Sequence, residues 1–158
     1  MAGKHDGLVA ELRARLARLN LPDEVHSTIM SLIEQHAGAP AAPAGPDEIR
    51  VARGLYKSSL RRSRALGARM AMDSAWNMLL DLFIAHAEGR SISVSSLCIA
   101  SGGPSTTALR QIGRLEAEGL VVRYDDERDG RRSWVKPTDA AIVLVRGLIA
   151  DWTAAVLG

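Results

Sequence analysis

At 158 residues with a formal net charge of +2, 47% hydrophobic residues and one cysteine, the chain has room for one domain with a proper core and an appendage, but hardly for two full domains. The single Cys98 excludes an internal disulfide, and near-balanced charge means that the distribution of charge, not its sum, must carry any argument about a polyanionic partner. No cationic start precedes an apolar signal core, and the most apolar stretch, 140–157, is interrupted by Arg146, Gly147 and Asp151, so a cytoplasmic, membrane-free protein is the expectation.

Residues 1–37 read as an N-terminal helical hairpin. Leu8, Leu12, Leu16 and Leu19 recur along one face, Pro22 suits the first position of a second helix, and Val25, Ile29, Leu32 and Ile33 form its stripe. Two short amphipathic helices bury two stripes poorly by themselves, so they are expected to dock on the main domain or on a second subunit. Residues 38–46, GAPAAPAGP, form a linker with three prolines and no charge. The remaining domain spans 47–158, with a winged core at 73–138.

In that domain Asp47 is expected to cap a helix that turns Ile49, Ala52, Leu55, Tyr56, Ser59 and Leu60 inward, with Gly67 weakening it near its end. From Arg50 to Met72 there are seven basic residues and no acid, whereas the first 49 residues hold four basic and seven acidic ones. The run 57–64, KSSLRRSR, reads first as a solvated face, with phosphate contact or an acidic partner as alternatives. Asp73 or Ser74 then opens a helix with Trp76, Leu79, Leu80, Phe83 and Ile84 inward and Gly89 as its stop.

Ser93 can cap a short helix carrying Val94, Leu97 and Cys98 inward, and Gly102-Gly103-Pro104 breaks it. Pro104 or Ser105 opens the next helix, 104–118. Its apolar residues Ala108, Ile112 and Leu115 recur at i, i+4 and i+7, and Gly119 ends it. Ser105, Thr106, Thr107, Arg110, Gln111 and Arg114 are the candidate DNA-contacting residues on it. Arg can bridge two acceptors on guanine, Gln can bridge two groups on adenine, and Thr offers a methyl and a hydroxyl. No acid interrupts them; Glu116 and Glu118 come only near the C-terminal end. Val121–Tyr124 and Arg132–Lys136 then read as the paired strands of a wing, 121–137, with Arg128, Arg131 and Arg132 as further DNA candidates around an Asp-Gly turn. Trp134 falls on the strand face opposite Val135, where exposure, cover by another segment and contact with a sugar backbone are all open. After Thr138, residues 139–156 are apolar on nearly every side, which calls for a second partner and most simply a second copy.

The stretch GRLEAEGLV followed by DDERDGRRSWVKPT resembles the MarR-type winged-helix family of transcriptional regulators. Leu115, Gly119, Leu120, Asp126, Arg128, Asp129, Arg131, Val135 and Thr138 carry the likeness. Pro137, Gly113 and residues 1–37 depart from the family pattern. The resemblance implies a mainly α (α+β) winged helix-turn-helix fold with a two-stranded wing and dimerisation helices, binding double-stranded DNA as a homodimer. It also implies that Asp126 or Asp129 fixes the wing by pairing with a wing arginine. A winged helix used for protein interaction or architecture, and a sensor gated by a small-molecule effector, remain the alternatives.

Cys98 falls among Val94, Leu97 and Ala100 and reads as a buried small hydrophobe, not as a redox thiolate. His5, His26, His36 and His86 have no cysteine or paired acid at ligand spacing, so no metal and no cofactor is expected. No P-loop, GxSxG or HExxH occurs, so nothing points to an enzyme.

Overall fold

The computed structural model describes residues 43–67 and 74–157, with Ser27 and Ser31 placed in helix. The rest of the expected N-terminal hairpin, 1–37, and residues 38–42 of the linker lie outside the described residues. Among the described residues from 43 onward, five helices and three strands follow one another: α1 Pro46–Leu66, α2 Ser74–Ala87, β1 Ile92–Ser93, α3 Val94–Ala100, α4 Ser105–Ala117, β2 Val121–Asp125, β3 Ser133–Pro137 and α5 Asp139–Leu157. Helix, strand, helix, helix and hairpin in this order, closed by one small antiparallel sheet, make a winged helix-turn-helix.

α1 starts earlier than Asp47. Gly45 is its N-cap, Pro46 takes the first helical position, and the Gly45 N–H donates to Glu48 Oε2 at 2.7 Å. Proline, which needs no N–H partner there, outcompetes the aspartate cap. Asp47 instead pairs with Arg50 at 2.9 Å in the exposed first turn. Gly67 is the C-cap and not an interior weak point.

α2 is the centre of the molecule. Met78, Leu80, Leu82 and Phe83 are essentially buried, and Leu79 and Ile84 join them in the core. Trp76, expected inward, is half-buried and packs against the core's edge, while Asn77 takes the fully buried place beside it. Leu97 and Cys98 of α3, Ala108, Ile112 and Leu115 of α4, Val121 and Val135 of the sheet, and Ala141, Ile142, Val145 and Ile149 of α5 close around α2.

The sheet has three strands in the order β1-β3-β2, all antiparallel, not the two expected. Ile92 pairs with Val135 and Ser93 with Trp134, so the two residues ahead of α3 form an edge strand. In the wing, Val121 opposes Pro137 and Asp125 opposes Ser133. Thr138 joins wing to α5. Its Oγ1 donates to the Gly119 carbonyl at 2.8 Å and accepts the Ala141 N–H at 3.2 Å, while its own N–H donates to the Leu120 carbonyl at 3.0 Å. One residue therefore caps α5 and ties it to the end of α4. No helix among the described residues is long and apolar enough to cross a membrane.

Candidate nucleic-acid interface

The turn between α3 and α4 is held from two sides. Ser101 Oγ donates to the Cys98 carbonyl at 2.7 Å and accepts the Gly103 N–H at 3.1 Å. Asn77 Nδ2, from the buried face of α2, donates to the Ser101 carbonyl at 3.1 Å, and Tyr56 Oη, from α1, donates to the Ala100 carbonyl at 3.3 Å. Gly102 has a φ of 72°, and a Cβ there would stand 3.0 Å from Leu60 Cδ2. Only glycine meets both the left-handed backbone and the close approach of α1. The turn is consequently a fixed pivot, and α4 leaves it in a defined direction.

Pro104 caps α4 with extended backbone and no side-chain hydrogen bond, so no side chain caps the first turn, where Ser105 and Thr106 are exposed. Ala108 and Ile112 have no exposed surface and Leu115 has 6%, which confirms the predicted inner face. Thr106, Arg110 and Arg114 are fully outward, whereas Thr107 and Gln111 are half-buried on one flank. On the other flank stand Leu109, 50% exposed, and Glu116. Arg110 and Arg114 make no ion pair among the described residues. Leu109 is a functional candidate that the sequence signals only as an apolar residue one place off the Ala108–Ile112–Leu115 stripe.

The acid nearest this face is answered. Arg123 of β2 donates Nε to Glu116 Oε2 at 2.8 Å and adds a second bond from Nη2. Hydrogen bonding to Arg123 holds the Glu116 carboxyl below the usual carboxylate range, and the same bond raises the Arg123 guanidinium. The pair tethers α4 to the wing and removes an uncompensated negative charge from the face.

The wing tip places Arg128, Arg131 and Arg132 in solvent, as their residue type demands. Its acids are structural, but by a different route from a carboxylate–arginine side-chain pair. Asp126 Oδ1 accepts the backbone N–H of Arg128 at 2.9 Å, its Oδ2 accepts the Trp134 indole N–H at 3.0 Å, and Asp129 Oδ1 accepts the Arg131 N–H at 3.1 Å. The Arg128 N–H, before the Trp134 indole and the Arg132 charge, keeps the Asp126 carboxyl below its ordinary range. Trp134 is therefore covered by the wing's own loop. Arg132 lies 5.4 Å over its ring, and Lys136 lies 5.6 Å over the cross-strand neighbour Tyr124. Two of the wing's cations are thus positioned by aromatic rings, which sequence could not specify without the register.

Cys98 is 8% exposed, and burial pushes its thiol up, away from the reactive thiolate. In the run 57–64, Ser59 and Ser63 are buried against the rest of the fold, and Lys57, Arg61, Arg62 and Arg64 are exposed. Among the described residues no group of three or more His, Cys, Asp or Glu could hold a metal. His86 is exposed, and His5, His26 and His36 lie outside the described residues.

No family model and no curated protein matches the chain. Among solved structures it is similar to S. aureus MepR in its DNA-binding conformation, at 18% identity and a TM-score of 0.46, over 68% of this chain and 77% of that one. It is also similar to S. aureus MepR bound to ethidium bromide, at 20% identity and a TM-score of 0.43, over 68% and 76% of the two chains. Both likenesses are distant, and the winged helix-turn-helix is assigned on this chain's own element order, strand register and turn geometry.

Proposed function

We propose that this protein is a transcriptional regulator that binds double-stranded DNA sequence-specifically as a homodimer. α4 enters the major groove and the wing, 121–137, rests on the backbone or in the minor groove. The observation that carries the reading is the outward face of α4. Ser105, Thr106, Arg110 and Arg114 stand on it without an acid among them, and the Glu116 carboxylate on its flank is taken up by Arg123. Arg110 sits mid-helix, where side chains reach base edges, and the α4 N-terminus offers N–H groups to phosphate. The sequence resemblance to MarR-type regulators, densest across 91–138, adds to this. Homodimerisation is supported by α5, whose Trp152 and Val156 remain 45% and 57% exposed. Residues 1–37 are assigned as a docking hairpin for that dimer, joined by the linker 38–46.

A binding titration with duplexes selected from a random-sequence pool, repeated across a salt series, tests the proposal. Arg110→Ala should weaken the selected duplex by about 1–3 kcal/mol and relax preference at particular base pairs. Arg131→Ala should weaken all duplexes alike and flatten the salt slope by about one charge per subunit. Undiminished binding in both variants removes DNA from this face.

A second reading, regulation by a small-molecule effector, is favoured by a groove of about 540 Å³ between α1 and α5, lined by Val51, Ile149 and Ala150 with Glu48 and Arg146. Those two charges meet at 2.8 Å, and the third charge at its edge, Asp47, is paired with Arg50 at 2.9 Å. A change in DNA affinity on adding an apolar compound that protects α5 amides from exchange would support it.

A further inference from the structure

We infer that Leu109 and Gly113 form an apolar notch on α4 that receives the C5-methyl group of a thymine, so that they determine specificity beside Arg110; the inference rests on α4 reading the major groove. Gly113 lies inside a 13-residue helix, where only proline is a poorer choice. Nothing in the fold asks for it. Its φ is not positive, and a Cβ built there meets no heavy atom within 4 Å. The protein would accept alanine at this place without moving.

Thr106, Arg110, Gly113 and Ala117 succeed one another at steps of four, three and four residues on the side of α4 away from the buried Ala108, Ile112 and Leu115. Leu109 stands one turn before Gly113 and is 50% exposed. A helical side chain covers the turn N-terminal to its own Cα, so a side chain at 113 would lie over residues 109 and 110. Its absence leaves Leu109 and the helix backbone open to whatever approaches. The neighbours of this recess are Arg110, and Glu116 bound to Arg123.

In the major groove every base edge presents hydrogen-bonding groups, and the thymine methyl is the apolar projection among them. An apolar recess beside Arg110, whose flanking acid Glu116 is paired with Arg123, fits that group. A helix of a partner protein would also find Leu109, but it would have to approach Arg110 and Arg114 without the negative charge that DNA supplies.

The test uses duplexes recovered by the full-length protein from a random-sequence pool, remade with deoxyuridine in place of thymidine. That exchange removes the methyl groups and keeps the base pairing. The wild-type protein should bind the deoxyuridine duplex roughly fivefold or more weakly. Leu109→Ala and Gly113→Ala should each bind the thymidine duplex more weakly and lose most of the discrimination between the two. Gly113→Ala should nevertheless melt about 2–4 °C higher, because the helix gains propensity while the DNA loses its seat. Gly54→Ala, at a helical glycine of α1 where an added Cβ likewise meets nothing within 4 Å, should gain stability and keep wild-type affinity. Equal binding of the two duplexes by the wild type, or wild-type affinity and discrimination in Gly113→Ala, overturns the notch alone. Recovery of no duplex overturns DNA binding and the notch together.

Discussion

Thr138→Val removes one hydroxyl and keeps the β-branched shape, so its effect isolates the joint between the wing and α5. One accepted and one donated hydrogen bond are lost, the donated one shared with the Leu120 carbonyl at 3.2 Å. Oγ1 no longer caps α5 by accepting the Ala141 N–H at 3.2 Å, and it no longer donates to the Gly119 carbonyl at 2.8 Å. A cap is worth about 1 kcal/mol, and a half-buried hydrogen bond adds about another. Burial of the valine methyl returns a few tenths at most, because Thr138 is only half-buried. The net cost is therefore about 2 kcal/mol, which moves a urea midpoint down by about 1 M at a slope of roughly 2 kcal/mol/M. Thr138→Ser keeps both bonds and should lose far less. Equilibrium unfolding in urea, followed by tryptophan fluorescence and far-ultraviolet circular dichroism together, measures all three proteins. A loss below about 0.5 kcal/mol in the valine variant would show that the hydroxyl does not join α4 to α5, and the joint would then have to rest on the Thr138 N–H bond to Leu120.

Desolvation by burial raises the Asp81 carboxyl above its ordinary value, and the Arg90 charge only partly opposes this. A raised folded-state acid favours folding while protonated and loses that advantage as pH rises through its folded-state value, so Asp81→Asn should raise the melting temperature at pH 7, with the gain vanishing below about pH 3. Cys98 should react with a thiol reagent in the native protein at least tenfold more slowly than in urea, since it is 8% exposed and its thiol is raised; equal rates would place it at the surface. Light scattering of the full chain should give about twice its 17.0 kDa, Trp152→Glu should shift that mass towards monomer, and deleting residues 1–46 should weaken assembly more than DNA contact. A monomer mass at micromolar concentration would refute the dimer.

Local patterns carried much of the fold. The i, i+4, i+7 spacing of Ala108, Ile112 and Leu115 set the inner face of α4, because a 3.6-residue period leaves one stripe for the core. Gly119 stops α4 with a φ of 68° and a Leu120 N–H bond back to Leu115 at 2.9 Å, as a left-handed residue at that place allows. Ser93 accepts the Ser96 N–H at 3.2 Å and starts α3. These are interactions within four or five residues, and sequence spacing alone describes them.

What escaped is what joins distant segments. β1 is two residues long and exists because Ile92 and Ser93 meet β3 some 40 residues later, so no local propensity could announce it. Asn77, a polar residue inside an apolar helix, is fully buried, because the Ser101 carbonyl comes to its amide. Trp134 and Asp126 bond only once the wing's register brings strand and loop together, and Arg123 reaches Glu116 only because β2 returns alongside α4. The outward placing of Thr106, Arg110 and Arg114 was legible because helical periodicity assigns them a face, whereas Thr107 and Gln111 fall half-buried on its flank. Their pivot, tether and neutralised acid were decided by tertiary contacts, since a side chain's partner across the fold depends on where two elements cross and not on the residues beside it.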